Sequence, residues 1–332
     1  MQAQYDLVCV GNAIIDILHS APDSFLSEHG IAKAAMTLID EARADHLTSL
    51  FDGAVLAAGG SAANTATGVA SFGGRAGYIG KVADDDLGRE FTRAFRAAGV
   101  TFNTPARAAP PGTARCLIAV TGDGQRSMST YLGASTLLEP GDIDDALIRA
   151  GAITFLEGYL FDRPEAKEAF VHAAEIARGA GRQVALTLSD TFCVDRHRAS
   201  FRHLVAGHID ILFANELEIL SLYETQSLEA ALDAARAACP VVVATRSDKG
   251  SLIGAEGATI EVAAAPVSRV VDTTGAGDLY AAGFLYGRAR GRTWAACGAL
   301  GSLAAAEVIS HMGPRPETSL KALAESRGLM AA

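Results

Sequence analysis

The alternation of short apolar runs with helical patterns is the feature that most constrains how this 332-residue chain folds. Runs typical of buried strands occur at residues 5–10, 153–156, 184–188, 209–213 and 240–245. Helical patterns lie between them, for example at 163–180 and 228–238. Strands separated by helices pair in parallel, because a parallel pair needs a long crossover connection. The pattern therefore predicts an α/β fold, with three αβα layers around a doubly wound, mostly parallel sheet.

Two stretches depart from this alternation. Residues 19–57 contain short candidate strands at 36–39 and 54–57 beside a helix. Further along, candidate strands at 115–120 and 127–132 flank an Asp-Gly turn, which is a strong hairpin signal.

We interpret these stretches as a lid, because ligands of open α/β sheets bind at the carboxyl edge of the strands. A mere edge decoration is the alternative. The predicted organisation is one domain, 1–332, with a small β-rich lid formed by about 17–58 and 111–133.

The composition of the chain limits the kinds of partner that it is expected to bind. The 28 basic residues are outnumbered by 38 acidic ones, which argues against nucleic acid or an anionic membrane as a partner. The apolar run at 295–306 is short and predicts a buried helix rather than a membrane span. Five cysteines without a CxxC pair, and a start without a basic segment, predict a cytoplasmic protein with no disulfide framework or zinc site.

The segment Gly275-Ala276-Gly277-Asp278 carries the strongest chemical signal. We expect a strand, a turn of small residues, and a helix that begins near Asp278. Free N–H groups at such a helix start bind anions and would stabilise a phosphoryl group in transfer. Asp278 would then accept the proton of an attacking hydroxyl. A helix cap without catalytic work is the alternative.

An earlier segment, Gly59-Gly60 followed by Asn64, also joins a strand to a helix. Glycines there would let a substrate lie against the backbone, and the amide of Asn64 offers a donor and an acceptor for a hydroxyl. Tight packing of the helix on the sheet is the alternative.

The two segments together resemble the two signatures of the PfkB, or ribokinase-like, carbohydrate kinases. Gly59-Gly60, Asn64, Gly80 and Gly88 match the early signature, and 272–278 matches the late one. The resemblance implies an α/β sheet with a β lid and transfer of the γ-phosphate of ATP. The chain lacks a GxxxxGK[ST] P-loop, which is consistent with a different phosphate cradle.

The same resemblance implies further site residues. ATP would contact Asn215, Thr245, Gly250, Gly275, Gly277 and His311. Mg²⁺ would be held by Glu218 and Asn215, partly through water. Arg126, beside the lid hairpin turn, would bind the γ-phosphate on closure, unless it is a solvated loop arginine. Asp272 and Thr274 match positions that bind a monovalent cation such as K⁺ in relatives.

Within the family, several segments resemble those of adenosine kinases. Asn12 and Asp16 match a substrate motif, in which Asp16 would accept both hydroxyls of a ribose diol; a structural Asx turn is the alternative. Segments 158–160, 187–192 and 210–216 are similar too, although Asp190-Thr191 stands in place of Ala-Pro. The implied reaction converts adenosine to AMP by phosphorylation of the 5′-hydroxyl.

Three other functions remain open. A sugar kinase of the same family would act on ribose, fructose or 2-keto-3-deoxygluconate, with Arg115 or Arg163 serving an acidic substrate. A nucleoside-binding protein without activity conflicts with the intact Asp278. A nicotinamide-dependent oxidoreductase would need a GxGxxG turn after the first strand, which is missing. The sequence allows either a monomer or a homodimer.

Overall fold

The computed structural model describes residues 3–108 and 110–330, except for the side chain at position 162. The predicted single domain, 1–332, therefore includes five residues outside the described part. The strands are β1 (Tyr5–Val10), β2 (Ile14–Ser20), β3 (Met36–Leu38), β4 (Val55–Gly59), β5 (Ala76–Ile79), β6 (Val100–Phe102), β7 (Ala114–Val120), β8 (Arg126–Tyr131), β9 (Gly151–Glu157), β10 (Gln183–Thr187), β11 (Ile211–Asn215), β12 (Val241–Thr245), β13 (Ser251–Ala255) and β14 (Ala258–Val262).

The helices lie mainly between the strands, as the sequence pattern predicts. They are α1 (Asp23–Glu28), α2 (Glu41–Leu50), α3 (Ser61–Ser71), α4 (Asp86–Ala97), α5 (Asp145–Ala150), α6 (Pro164–Gly179), α7 (Thr191–His208), α8 (Glu216–Tyr223), α9 (Leu228–Ala238), α10 (Ala276–Ala289), α11 (Trp294–Val308) and α12 (Leu320–Ser326).

The central sheet has nine strands in the order β14-β13-β12-β11-β10-β9-β1-β5-β6. The seven neighbouring strands from β12 to β6 in this order pair in parallel. At the other edge, β13 and β14 extend the sheet with antiparallel pairing. Side chains of β1 alternate between two cores, with Leu7 and Cys9 in one and Val8 and Val10 in the other. A sheet with apolar cores on both faces needs helices on both faces. The predicted three-layer, mostly parallel fold is confirmed.

A second sheet has five strands in the order β3-β8-β7-β2-β4. The hairpin strands predicted at 115–120 and 127–132 form Ala114–Val120 and Arg126–Tyr131. The strand Ile14–Ser20 was not predicted; it lies between β4 and β7. It places Asp16 on the second sheet, close to where that sheet leaves the central one.

The strand expected just before Gly275 does not form. Val270 and Val271 lie in an exposed loop. The N–H of Val271 donates to the carbonyl of Ile309, at the end of α11, rather than to a neighbouring strand. Two β-branched residues gave a strand pattern, but without a strand beside them no ladder forms.

The apolar run at 295–306 forms the middle of α11, as expected. Among the described residues, no helix has the length and apolar character that a membrane span requires.

Candidate active site

Asp278 lies where two helices begin side by side. It is the third residue of α10, and α3 packs so closely on α10 that a Cβ on Gly68 would lie 2.6 Å from the Cβ of Ala282. This contact brings the first turn of α3 against the Asp278 carboxylate. The hydroxyl of Ser61 donates to its Oδ1 at 2.6 Å, and Nδ2 of Asn64 donates to its Oδ2 at 2.9 Å.

The environment of Asp278 suits a base. Burial raises the pKa of its carboxyl to about 6, although the hydrogen bonds from Ser61 and Asn64 oppose the rise. The group is therefore ionised at neutral pH and more basic than an exposed aspartate. Two donors fix its orientation without using every acceptor site of the carboxylate.

The turn before Asp278 offers fewer free N–H groups than the sequence predicts for an anion cradle. Gly275 has φ +80°, and a Cβ there would lie 2.8 Å from atoms of Pro314. A Cβ on Gly277 would meet no atom of the described residues within 4 Å, so this side faces open space. The N–H of Ala276 is engaged by the carbonyl of Thr273 at 3.2 Å. The free donors of the first turn are the N–H groups of Gly277 and Asp278.

A cavity of about 820 Å³ adjoins this turn, which is within the size range of small-molecule sites. Of the predicted catalytic, ATP and metal residues, the following line it: Asn215, Glu218, Thr245, Gly250, Gly275, Ala276, Gly277 and Asp278.

His311 is an exception among the predicted ATP contacts. It does not line this cavity; its Nε2 lies 3.2 Å from Oε2 of Glu307, and the cavity wall is Ile309 instead. The contact with Glu307 holds the imidazole outside the cavity.

Asn215 and Glu218 form a reciprocal cap at the start of α8. Nδ2 of Asn215 donates to Glu218 Oε1 at 2.6 Å, and the N–H of Glu218 donates to Asn215 Oδ1 at 2.9 Å. Burial raises the pKa of Glu218 to about 7, and the carboxylates of Asp190 and Asp278 add to the rise. The cavity thus carries excess negative charge that a divalent cation would neutralise.

The described residues contain no cluster of three or more acidic, histidine or cysteine ligands. One carboxylate and one amide fit Mg²⁺, because that ion keeps most of its water ligands.

The predicted pair for a monovalent cation, Asp272 and Thr274, does not fit that role. Asp272 Oδ1 accepts from the N–H and the hydroxyl of Thr274, and Oδ2 accepts from the N–H of Gly313. Nη2 of Arg126 lies 3.0 Å from the same Oδ2, and both side chains are buried. Although burial opposes it, the bonds from Thr274 and Gly313 and the charge of Arg126 lower the pKa of Asp272. A guanidinium lies where a cation was expected.

Asp16, Asn12 and Asn64 are predicted acceptor residues with polar atoms that the described residues leave unpaired. Burial raises the pKa of Asp16 to about 6, and Arg315 and Arg126 oppose the rise. In the described part of the chain, Asp16 accepts no hydrogen bond, while Oδ1 of Asn12 and Oδ1 of Asn64 are buried without a partner. Such atoms lose free energy unless a ligand or water binds them.

Gly59 and Gly60 are required mainly by the protein itself. A Cβ on Gly59 would lie 2.4 Å from Asp16 Oδ2, and one on Gly60 would lie 2.2 Å from the carbonyl of Asn12. Gly60 also has φ +107°, which disfavours other residues. At both glycines the close neighbours are atoms of the protein itself, a carboxylate and a backbone carbonyl. Tight packing therefore explains these glycines as well as close approach of a substrate does.

Three site residues were not predicted: Ser61, Glu157 and Arg315. Glu157 is 1% exposed and accepts from Asn12 Nδ2 and from the N–H of Ala62, each at 2.8 Å. Burial raises its pKa to about 7. Ser61 lay inside a recognised motif, but Glu157 ends an apolar strand and gave no signal beyond its charge.

Arg115 and Arg163, proposed for an acidic substrate, have other partners. Arg115 pairs with Asp45 of α2. Arg163 is half-exposed, pairs with Glu165, and lines a separate cavity of about 320 Å³.

The segments 158–160 and 187–192 come together as their resemblance implies. The hydroxyl of Tyr159 donates to the carbonyl of Ser189 at 3.3 Å, and Ser189 lines the large cavity. Asp190 instead caps α7, where its side chain accepts from the N–H of Cys193.

A mostly parallel sheet between two layers of helices, a second β-sheet, and an aspartate at a helix start after a glycine turn are features of one class, the ribokinase-like phosphotransferases that act on hydroxyl groups. The model of the pfkB family carbohydrate kinases matches residues 29–320, and the chain belongs to this family, whose members use ATP.

Relatives within the family differ in substrate. Adenosine kinase of Saccharomyces cerevisiae is 26% identical over 93% of this chain and 96% of its own length. The crystal structure of adenosine kinase from Sinorhizobium meliloti is 50% identical, with a TM-score of 0.90 over 98% of this chain and all of that one. A probable sugar kinase protein from Rhizobium etli is 49% identical, with a TM-score of 0.92 over 99% of this chain and all of that one.

Proposed function

We propose that this kinase transfers the γ-phosphate of ATP to the 5′-hydroxyl of adenosine, giving AMP and ADP. The observation that carries the proposal is the arrangement around Asp278. Its carboxylate is half-buried, oriented by Ser61 and Asn64, and adjacent to the open face of Gly277. The named adenosine kinases from Sinorhizobium meliloti and Saccharomyces cerevisiae support the choice of nucleoside.

The reaction requires one proton transfer and one phosphoryl transfer. The acceptor hydroxyl attacks the γ-phosphorus while Asp278 takes its proton, and the bond to the β-phosphate oxygen breaks. The N–H groups of Gly277 and Asp278 stabilise the charge that grows on the phosphoryl oxygens. Asp278 releases the proton to solvent before the next cycle.

ATP would occupy the large cavity between Thr245, Gly250 and Gly277. Glu218 and Asn215 would hold Mg²⁺ partly through water, and the ion would neutralise phosphate charge. These residues also orient each other, so the metal-binding side chains are fixed before ligand enters.

The second sheet acts as a lid in this proposal. Asp16 on β2 and Arg126 on β8 both belong to it, so acceptor binding and phosphate binding would change together when it moves. We place the enzyme in the cytoplasm, in the recovery of preformed purine nucleosides.

A sugar kinase is the second candidate. The probable sugar kinase protein from Rhizobium etli is nearly as identical as the Sinorhizobium adenosine kinase. A 5-dehydro-2-deoxygluconokinase from Geobacillus kaustophilus is 29% identical over 69% of this chain.

The test is ATP consumption by purified protein with Mg²⁺ and a panel of acceptors: adenosine, inosine, guanosine, ribose, fructose and 2-keto-3-deoxygluconate. We expect turnover on adenosine, with AMP as the product. Turnover on a sugar alone would overturn the nucleoside assignment and leave the role of Asp278 intact.

A further inference from the structure

An arginine that the mechanism above does not use has its charged group buried near the acceptor site. The guanidinium carbon of Arg315 lies 5.4 Å from the ring centroid of Phe95. Its Nε and Nη2 are inaccessible, and neither has a hydrogen-bond partner among the described residues. Unpaired N–H groups of a buried cation cost free energy. We therefore expect a ligand with hydrogen-bond acceptors to bind beside the Arg315 guanidinium.

The loop that carries Arg315 is fixed to the catalytic turn. The N–H of Gly313 donates to Asp272 Oδ2 at 2.9 Å. Pro314 packs against Gly275 so closely that no Cβ would fit there. The position of Arg315 is therefore set by the same backbone that forms the anion cradle.

A chain of contacts leads from Phe95 to the acceptor residues. The ring of Phe95 lies 4.9 Å from the ring of Tyr78, whose hydroxyl donates to the carbonyl of Asn12 at 2.8 Å. One layer of aromatic rings thus connects the guanidinium to the loop that leads into β2 and Asp16.

The charges of Arg315 and Asp16 act on each other without direct contact. Burial lowers the pKa of Arg315 to about 10, and Asp16 opposes that shift. Arg315 in turn opposes the rise that burial causes in the pKa of Asp16. Both groups are charged at neutral pH, yet within the described ranges no ion pair joins them. A hydroxyl fits between such groups, because it donates to a carboxylate and accepts from a guanidinium.

We propose that Arg315 completes a diol site with Asp16: its Nε–H and Nη2–H donate to the oxygens of two neighbouring hydroxyls whose hydrogens go to the Asp16 carboxylate. The two N–H groups form a rigid fork, which suits a pair of oxygens held side by side. The proposal rests on the proposed function, in that the acceptor carries the vicinal 2′- and 3′-hydroxyls of a ribose.

The test compares adenosine with 2′-deoxyadenosine and 3′-deoxyadenosine in the wild-type enzyme and in Arg315→Met. We expect kcat/KM for adenosine to fall about tenfold or more, mainly through KM, as for loss of a hydrogen bond to a charged group. The deoxy analogues should lose less, so the preference for adenosine should shrink. Calorimetric binding of adenosine without ATP should weaken in parallel, while KM for ATP stays unchanged.

Two further variants separate binding from folding. Arg315→Lys keeps the charge but not the fork, and should recover only part of the preference. Arg202→Met removes an arginine that lies 5.6 Å from the ring of Tyr223, a matched contact away from the site, and should leave the preference unchanged.

Each outcome decides a different point. An unchanged preference in Arg315→Met, or the same loss in Arg202→Met, would overturn the role of Arg315. A wild-type enzyme that phosphorylates only a sugar of the panel would overturn the nucleoside assignment; the comparison then uses that sugar and its deoxy analogue. A wild-type enzyme that phosphorylates none of these acceptors would overturn both.

Discussion

At the residue scale, the proposed chemistry depends on one carboxylate whose pKa is raised by burial. Asp278 is desolvated, and its partners Ser61 and Asn64 hold the charged form in place. Replacement of this carboxylate by an amide keeps the shape but removes the proton acceptor.

Asp278→Asn should lower kcat by about a hundredfold or more, in the range of general-base catalysis. ATP should still bind, because its contacts lie along the cavity beside the residue, and should still raise the melting temperature. Asp233→Asn, at an exposed carboxylate on α9, is the control and should be fully active. Near-normal turnover by Asp278→Asn would show that another group accepts the proton.

The pH profile tests the same residue by a second route. Since the pKa of Asp278 is raised to about 6, kcat/KM should rise with pH through that value as the base ionises. The hydroxyl of Ser61 stabilises the ionised form, so Ser61→Ala should move this limb to higher pH. Ser221→Ala removes a bond of equal length, 2.6 Å, to the exposed Asp195 and should not move it. A limb that shifts downward in Ser61→Ala would contradict the assignment.

At the scale of elements, the two glycines at the start of α10 have different causes: the fold requires one of them, and ligand binding explains the other. Gly275 is constrained by its positive φ and by Pro314, whereas Gly277 is surrounded by open space on its Cβ side. A glycine inside a helix is less stable than alanine by roughly 1 kcal/mol. The fold therefore gives no reason for glycine at position 277, and close approach of a phosphate does.

Gly277→Ala should fold at least as stably as the wild type and yet bind ATP more weakly, because the new methyl group occupies the phosphate side of the turn. We expect KM for ATP to rise and kcat to fall, with a melting temperature that is equal or higher. Gly207→Ala, at another helical glycine with open space around its Cβ, should gain stability without loss of activity. Unchanged kinetics in Gly277→Ala would place the phosphates elsewhere.

Elements could be predicted from the sequence where the signal is local. Buried runs such as β1 and the Asp-Gly hairpin of β7 and β8 were found within one or two residues, because periodicity and turn chemistry act over short distances. The strand β2 was missed because its residues were read as a motif. The loop at 270–272 was misread because a strand also needs a partner, and partners are set by the tertiary fold.

The site shows the same division. Residues inside glycine-rich motifs, such as Asp278, were predicted, and their position beside the large cavity agrees with that expectation. Glu157 lies 145 residues beyond Asn12, to which it is hydrogen-bonded, and Arg315 lies in the C-terminal loop. Neither residue is near the glycine-rich motifs in sequence, so only the three-dimensional structure shows that they belong to the site. His311 was expected beside ATP but lies outside the large cavity, where it contacts Glu307 one helical turn earlier, a contact that the sequence does not show.

At the scale of the whole molecule, two sheets meet at the reacting groups. The chain passes from β1 to β2 through residues 11–13, and from β4 to α3 through Gly60. Asp16 lies on the second sheet, while Asp278 lies at the start of α10, a helix that packs on the central sheet. Any motion of one sheet against the other would change the distance between the diol site and the base. Arg126 of the second sheet and Asp272, in the loop before α10, form a buried charged contact across this junction.

Arg126→Met tests whether this pair is part of the chemistry or only holds the sheets together. Loss of the guanidinium leaves the Asp272 carboxylate buried without its cation, so the second sheet should dock less firmly. Hydrogen exchange of β7 and β8 should become faster, and kcat should fall about tenfold or more if Arg126 also contacts the phosphate in transfer. Arg115→Met, on the neighbouring strand and paired with the exposed Asp45, is the matched control. Faster exchange with an unchanged kcat would limit Arg126 to docking, because a residue that binds the transferring phosphoryl group cannot be lost without slowing the chemical step.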